Sequence, residues 1–107
     1  MARVFVTQVT QHDLAPAAKH GEMVVLVEHA RDASFPQSIL RTMRRKLKDF
    51  TDQDFLLLVG DPVAMALAVN AAANANRGRV KILKWSRDYG DYYPMQIDFN
   101  QGDDDES

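Results

Sequence analysis

Three groups of side chains in this 107-residue sequence have the types and spacing to do chemistry or recognition. The first is Gly60-Asp61-Pro62, where the apolar run "LLLVG" turns directly into "AMALAVNAAANA". A strand running into a helix N-terminus offers free N–H groups and a partial positive charge, the arrangement with which α/β proteins hold phosphate. No GxGxxG and no GxxxxGK[ST] accompanies it, and an acid with a proline stands where phosphate binders place glycine backbone and lysine. Helix-start chemistry explains the same residues: Asp61 is an N-cap and Pro62 a first-turn proline. If Asp61 works as a ligand, a cation suits its carboxylate better than a phosphate. Glu28, His29 and Asp32 cluster after an apolar strand, on the same carboxyl side as Gly60 if the two strands run parallel. Glu28, His29, Gly60 and Asp61 are therefore the pocket candidates, with a solvated loop as the plainer reading of the first two.

The second group is basic. Arg41, Arg44, Arg45, Lys46 and Lys48 fall on one amphipathic helix, and Arg41, Arg44, Arg45 and Lys48 are the residues that could meet nucleic acid. The third is aromatic: Trp85, Tyr89, Tyr92 and Tyr93 gather around one hairpin with Arg87, and Arg87, Tyr89 and Tyr92 are the protein-contact candidates. Trp85 is read as core by alternation with Leu83.

Other chemistry is excluded or weakened by composition. The chain has no cysteine, so disulfides, thiolate metal sites and a cysteine nucleophile are out. His12, His20 and His29 are scattered and form no metal-ligand spacing, and no G-x-S-x-G marks a serine nucleophile. No catalytic residue, metal site or cofactor is expected. The formal charge is −2, but four acids sit in the tail "GDDDES", which leaves a small positive excess on the remainder. That balance is far from the strongly basic value of a dedicated nucleic-acid binder, so nucleic acid is disfavoured as a partner. No apolar run approaches a membrane span and no secretory leader is legible, so a cytoplasmic protein with no membrane contact is expected.

The elements that must position these residues follow from periodicity. Residues 3–9 and 23–28 read as strands, with "HDLAPAAKHGE" between them as a turn or short helical piece. Ser34 and Pro36 open a helix over about 36–49, whose Ile39, Leu40, Met43, Leu47 and Phe50 recur at the spacing of one buried stripe. "TDQD" is a tight turn into a strand at "FLLLVG", whose lack of alternation suits a central strand covered on both faces. A second helix runs from Pro62 to about Asn76, with Gly78 as its left-handed stop. Seven of its residues are alanine and Asn70 and Asn74 form its polar seam, so it is expected to be buried on more than one side. "RVKILKW" and "YYPMQIDF" complete the domain as a hairpin, the last strand alternating cleanly and tolerating Pro94 as an antiparallel edge would. The order β-β-α-β-α-β-β implies a single α/β domain over residues 1–100, with a mixed, mostly parallel sheet of about five strands, two main helices and two right-handed crossovers. An acidic flexible tail follows at 101–107. Two helices cannot fully cover both faces, so one face stays partly open or a second copy covers it.

The stretch "RTMRRKLKDFTDQDFLLLVGDPVAMALAVNAAANANRGRVKILKWSRDYGDYYPMQIDF" resembles a group of small proteins encoded by tailed bacteriophages. Their pattern is a basic helix, an acidic turn, a "LLL[I/V]GDP" corner, a small-residue helix ending in Asn and Gly, then "LKWDR" and "YYP". The likeness covers roughly residues 36–99, with a weaker echo in "LAPAAKHGE". Ser86 stands where the pattern carries an acid, and "DYGD" replaces a more basic loop. The resemblance implies phage origin and a shared fold, and it carries no activity. Together these readings describe a small phage accessory protein that binds a host or phage protein, its own copy included, without catalysis. A small-ligand or nucleotide pocket at Gly60-Asp61 is the alternative, and nucleic-acid binding through residues 41–48 the weaker one.

Overall fold

The computed structural model of the chain describes residues 2–9, 13–28 and 35–100. Five strands form one sheet: β1 (Arg3–Gln8), β2 (Glu22–Val27), β3 (Phe55–Leu57), β4 (Arg79–Ser86) and β5 (Asp91–Asp98). Two α-helices, α1 (Pro36–Lys46) and α2 (Pro62–Ala75), and a 3-10 helix, η1 (Ala15–His20), connect them. The strand order is β2-β1-β3-β4-β5, with β1 to β4 parallel and β5 antiparallel to β4. The α/β class, the element order and the central place of β3 agree with the sequence reading.

Both α-helices lie on one face. Ile39, Met43, Leu47 and Phe50 from the α1 stripe meet Phe5, Leu26, Leu56 and Val80 from the sheet and Ala64, Ala68, Ala71 and Ala72 from α2. The alanines let the two helices approach closely, while the strongly one-sided α1 turns its cations to solvent. On the other face η1 inserts Ala17, with Leu14 alongside, against Val4, Val6, Leu57 and Leu83. A passage by η1 on this face before the chain steps to β2, and passages by the α-helices on the opposite face as it steps across to β3 and β4, keep one hand of crossover.

Several local expectations shift. The cap position of α1 is Phe35, without a side-chain cap bond, and Ser34 lies outside the described residues. The left-handed stop of α2 is Arg77, at φ 58°, followed by Gly78 at φ 85°. Gly78 N–H donates to Ala73 O at 2.7 Å, so two successive left-handed residues close the helix end. Lys46 does not join the solvent face of α1. Its Nζ turns to the free edge of β2 and donates to Val25 O and Leu26 O, each at 3.1 Å.

Candidate functional site

The carboxyl ends of β1 and β3 form the crevice at which the strand order reverses, the usual ligand position in open α/β sheets. Here hydrogen bonds from β1 cross to the end of β3 and the start of α2. Thr7, fully buried, accepts from Val59 N at 2.8 Å and donates to Val59 O. Gln8 Oε1 accepts from Asp61 N at 2.9 Å, directly beneath Gly60. Asp61 Oδ2 in turn accepts from Ala64 N at 3.2 Å, an ordinary N-cap, and Pro62 contributes no N–H. Gly60 is required by the corner itself, because its φ is +92° and a Cβ would lie 2.9 Å from Gln8 Cβ. Glu28 is not brought to this corner. It lines a separate groove of about 350 Å3 with Ser38, Thr42, Arg45 and Lys46, on the far side of β1. His29 lies outside the described residues.

The hairpin is arranged differently. β4 and β5 pair over eight positions, whereas β3 reaches β4 at Leu56↔Ile82 alone. The distal half of the hairpin therefore projects beyond the body of the sheet. Trp85 and Tyr92 face each other across it, ring centroids 5.0 Å apart and edge to face. Trp85 is 46% exposed, which corrects its expected place in the core. It shares a face with buried Leu83 and a groove with Leu57, Leu58 and Val59, but it is not part of the cluster that buries Leu83. Tyr89, at the tip, is 86% exposed, and Arg87 beside it is also exposed. The tip is held by Ser86, whose Oγ accepts from Tyr89 N at 3.3 Å and whose carbonyl accepts from Gly90 N at 2.9 Å. An acidic side chain could fill the first of these roles equally well. Tyr92 is half-buried, and burial, with the Asp13 charge behind it, raises its phenol above the ordinary value. Asp91 pairs with Lys19 of η1, and that bond, with a second from Tyr92 N, holds its carboxyl below the usual range. The Asp91–Lys19 pair thus fastens the base of the tip to η1. On the helix-side face Tyr93 and Met95 are 40% and 43% exposed, and Phe99 just beyond β5 is 58% exposed. Phe99, Val69 and Ala73 with Asn70, Asn74 and Arg77 line an open groove of about 790 Å3 beside α2.

On α1 and in the turn after it, Arg41, Arg44, Arg45 and Lys48 are all exposed, and none is among the ion pairs Arg3–Asp54, Lys19–Asp91 and Arg79–Asp52 of the described residues. Among the described residues no group of three or more His, Asp or Glu is placed to hold a metal ion, and no helix is long and apolar enough to cross a membrane.

The profile of the Phage Pam3 gp32-like protein family matches residues 2–99. The chain belongs to that family. The match takes in the whole described sheet from β1 to the end of β5, and so extends well before the residue 36 at which the sequence resemblance begins. No curated protein and no solved structure matches the chain. Membership in the Phage Pam3 gp32-like family makes this a phage protein with an α/β domain and assigns no activity to any residue.

One anchor of the phage domain has no sequence signature. Asp54, 1% exposed, accepts from Arg3 N at 3.0 Å and from the Arg3 side chain at 3.0 and 3.3 Å. It also accepts from Thr51 N at 2.9 Å and Thr51 Oγ1 at 3.2 Å. Burial alone would push this carboxyl up, but the bonds from Arg3 and Thr51 outweigh burial and hold it below the ordinary value. The pair is structural: it locks the start of β1 to the turn before β3, at the opposite end of the sheet from the hairpin tip.

Proposed function

We propose that this small phage accessory protein acts by binding another protein, with the projecting β4–β5 hairpin as its contact surface. The observation that carries the reading is the exposure of Trp85, Tyr89 and Tyr93 toward the tip of the hairpin, past the residues that pack on the sheet. Tryptophan, tyrosine and arginine are the residues in which binding energy concentrates at protein interfaces, and Arg87 stands beside Tyr89. The hairpin is also pre-ordered, by the Trp85–Tyr92 contact, the Ser86 turn and the Lys19–Asp91 pair, so little ordering entropy opposes docking. Tyr89 and Arg87 are contact residues, Trp85 joins them, and Tyr92 supports Trp85 from the facing strand. A host or phage protein is the intended partner, and a second copy is the simplest variant of it. Mechanism here means occupying a surface, without bond making or breaking.

The test pairs the parent protein with Tyr89→Ala/Arg87→Ala, both exposed changes that leave the core intact. The tagged proteins capture partners from nuclease-treated lysate of infected cells, while light scattering reads their mass alone. The reading expects one protein bound by the parent and lost by the variant, with hydrogen-exchange protection confined to residues 84–93 of the purified complex. Equal capture by both, or protection elsewhere, overturns the assignment to the hairpin.

A further inference from the structure

We propose that the solvent face of α1 is a second, separate binding surface, which takes the sugar–phosphate backbone of nucleic acid. It is independent of the hairpin reading and rests on different residues. Arg41, Arg44 and Arg45 follow the i, i+3, i+4 rule on α1, so at 3.6 residues per turn they fall within about 100° of arc, and Lys48 stands in the turn just past the helix end. All four are exposed, and the carboxylates that form ion pairs among the described residues, Asp52, Asp54 and Asp91, are engaged by other cations.

The folded domain gains from this arrangement only at the helix end. Like charges at i, i+3 and i, i+4 oppose the helix, and α1 contains such pairs at 41/44 and 41/45. The favourable effect of cations on a helix C-terminus reaches the last turn, which accounts for Arg44 and Arg45 and leaves Arg41 unexplained. Lys46 shows what a structural cation on this helix looks like: it leaves the row and bonds two carbonyls of β2.

The chemistry of the row favours phosphate over other anions. Three of its four cations are arginines, whose planar fork matches two phosphate oxygens at once. The hydroxyls of Ser38 and Thr42 flank it and can donate to the same acceptors; with Arg45, Lys46 and the Glu28 carboxylate they line the adjoining groove, so a phosphate sits on the row and not within the groove. No large apolar side chain is exposed within the row, the nearest being Phe35 at the helix start. An acidic protein surface or a bilayer would ask for an apolar anchor among the charges, and a nucleic-acid backbone asks for none. The net charge of −2 is no obstacle, because four of the acids belong to residues 103–106, and near the row Arg41, Arg44, Arg45, Lys46 and Lys48 outnumber Glu28 and Asp49.

Fluorescence anisotropy with labelled 20-nucleotide single-stranded DNA, the matching RNA, a DNA duplex and a polyglutamate chain tests the proposal on the full chain. Binding is expected to at least one nucleic acid and to be weakened by salt, with a log–log slope of about −3 for contact with three to four phosphates. Arg41→Gln/Arg45→Gln should weaken that binding at least about tenfold and roughly halve the slope. The same variant should melt within about 2 °C of the parent, because relief of the like-charge pair offsets the loss of Arg45 beside the helix C-terminus, and Lys84→Gln on β4 should bind as the parent does. The three nucleic-acid arms separate a DNA site from an RNA site. No binding at low salt, binding unchanged in the double variant, or polyglutamate binding as tight as nucleic acid overturns the proposal, the last in favour of an acidic protein partner.

Discussion

Replacing Asp54 by alanine should cost this small domain a large part of its stability. The carboxylate is 1% exposed and takes five donor contacts, from Arg3 N, Nε and Nη2 and from Thr51 N and Oγ1. Breaking a buried ion pair by removing one partner costs about 3–5 kcal/mol, chiefly through the charge left behind. The Arg3 side chain is 31% exposed and keeps its bond to Asp49 O at 2.9 Å, so water can recover part of that charge. The expected loss for Asp54→Ala is therefore at the low end, about 3 kcal/mol. Asp54→Asn keeps an acceptor for the turn and for Arg3 N but gives up the charge, and should lose about 1–2 kcal/mol. Urea unfolding followed by far-ultraviolet circular dichroism measures both. The pH dependence has a definite sign. A carboxyl whose folded pKa is depressed stabilises the fold fully above its unfolded value near 4, and loses that contribution as pH falls through the folded pKa. The gap between parent and Asp54→Asn should thus be constant from neutral pH to about 5 and close below the ordinary carboxylate range. A loss under about 0.5 kcal/mol for Asp54→Ala, or a gap that does not narrow in acid, would refute the reasoning.

Asp61→Ala removes the N-cap of α2 and should lower stability by about 1 kcal/mol in the same urea assay, with no dependence on added nucleotide. A nucleotide-dependent rise in melting temperature in the parent, lost in the variant, would instead restore a pocket at this corner. Arg77→Gly should stabilise the domain by up to about 1 kcal/mol, since glycine relieves a left-handed residue and returns part of the gain as unfolded-state entropy. Gly78→Ala should do the opposite, because φ is +85° and its Cβ would stand 2.8 Å from Asn100 Nδ2; equal melting temperatures for the two variants would contradict both.

What the sequence made legible was what depends on neighbours along the chain. The 3.6-residue stripe of α1, the uniform apolar run of β3 and the alternation of β5 each report burial by period, and the order of elements then restricts the sheet. What escaped was decided by where elements end in space. Leu83 and Trp85 share a face and a period, yet Leu83 is buried and Trp85 half out, because Leu83 packs with Val4, Val6, Ala17 and Leu57 and Trp85 does not. Helical period already sets Lys46 apart from Arg41 and Arg45, but that it bonds β2 depends on how α1 approaches that strand. The Arg3–Asp54 pair spans 51 residues and leaves no spacing to read. At Gly60-Asp61 the types were read correctly as helix-start chemistry, while Thr7 and Gln8, which bond Val59 and Asp61 N, gave no sign of doing so.

The two edges of the sheet narrow how this protein can meet a partner. An open edge strand invites strand addition, and natural sheets guard against it with lysine or proline on the edge. On β2, Lys46 occupies the carbonyls of Val25 and Leu26, the groups an added strand would need. On β5, Pro94 removes a donor from the middle of the strand. With both edges guarded, strand addition gives way to side-chain surfaces, and the described chain leaves two of opposite character: the aromatic hairpin at one end of the strand order and the cationic row over the other. Surfaces so placed can be occupied together. Binding at one should leave affinity at the other unchanged, and Tyr89→Ala/Arg87→Ala and Arg41→Gln/Arg45→Gln should each lose one partner and retain the other. A variant of either pair that lost both partners while melting as the parent does would show that the two surfaces are one.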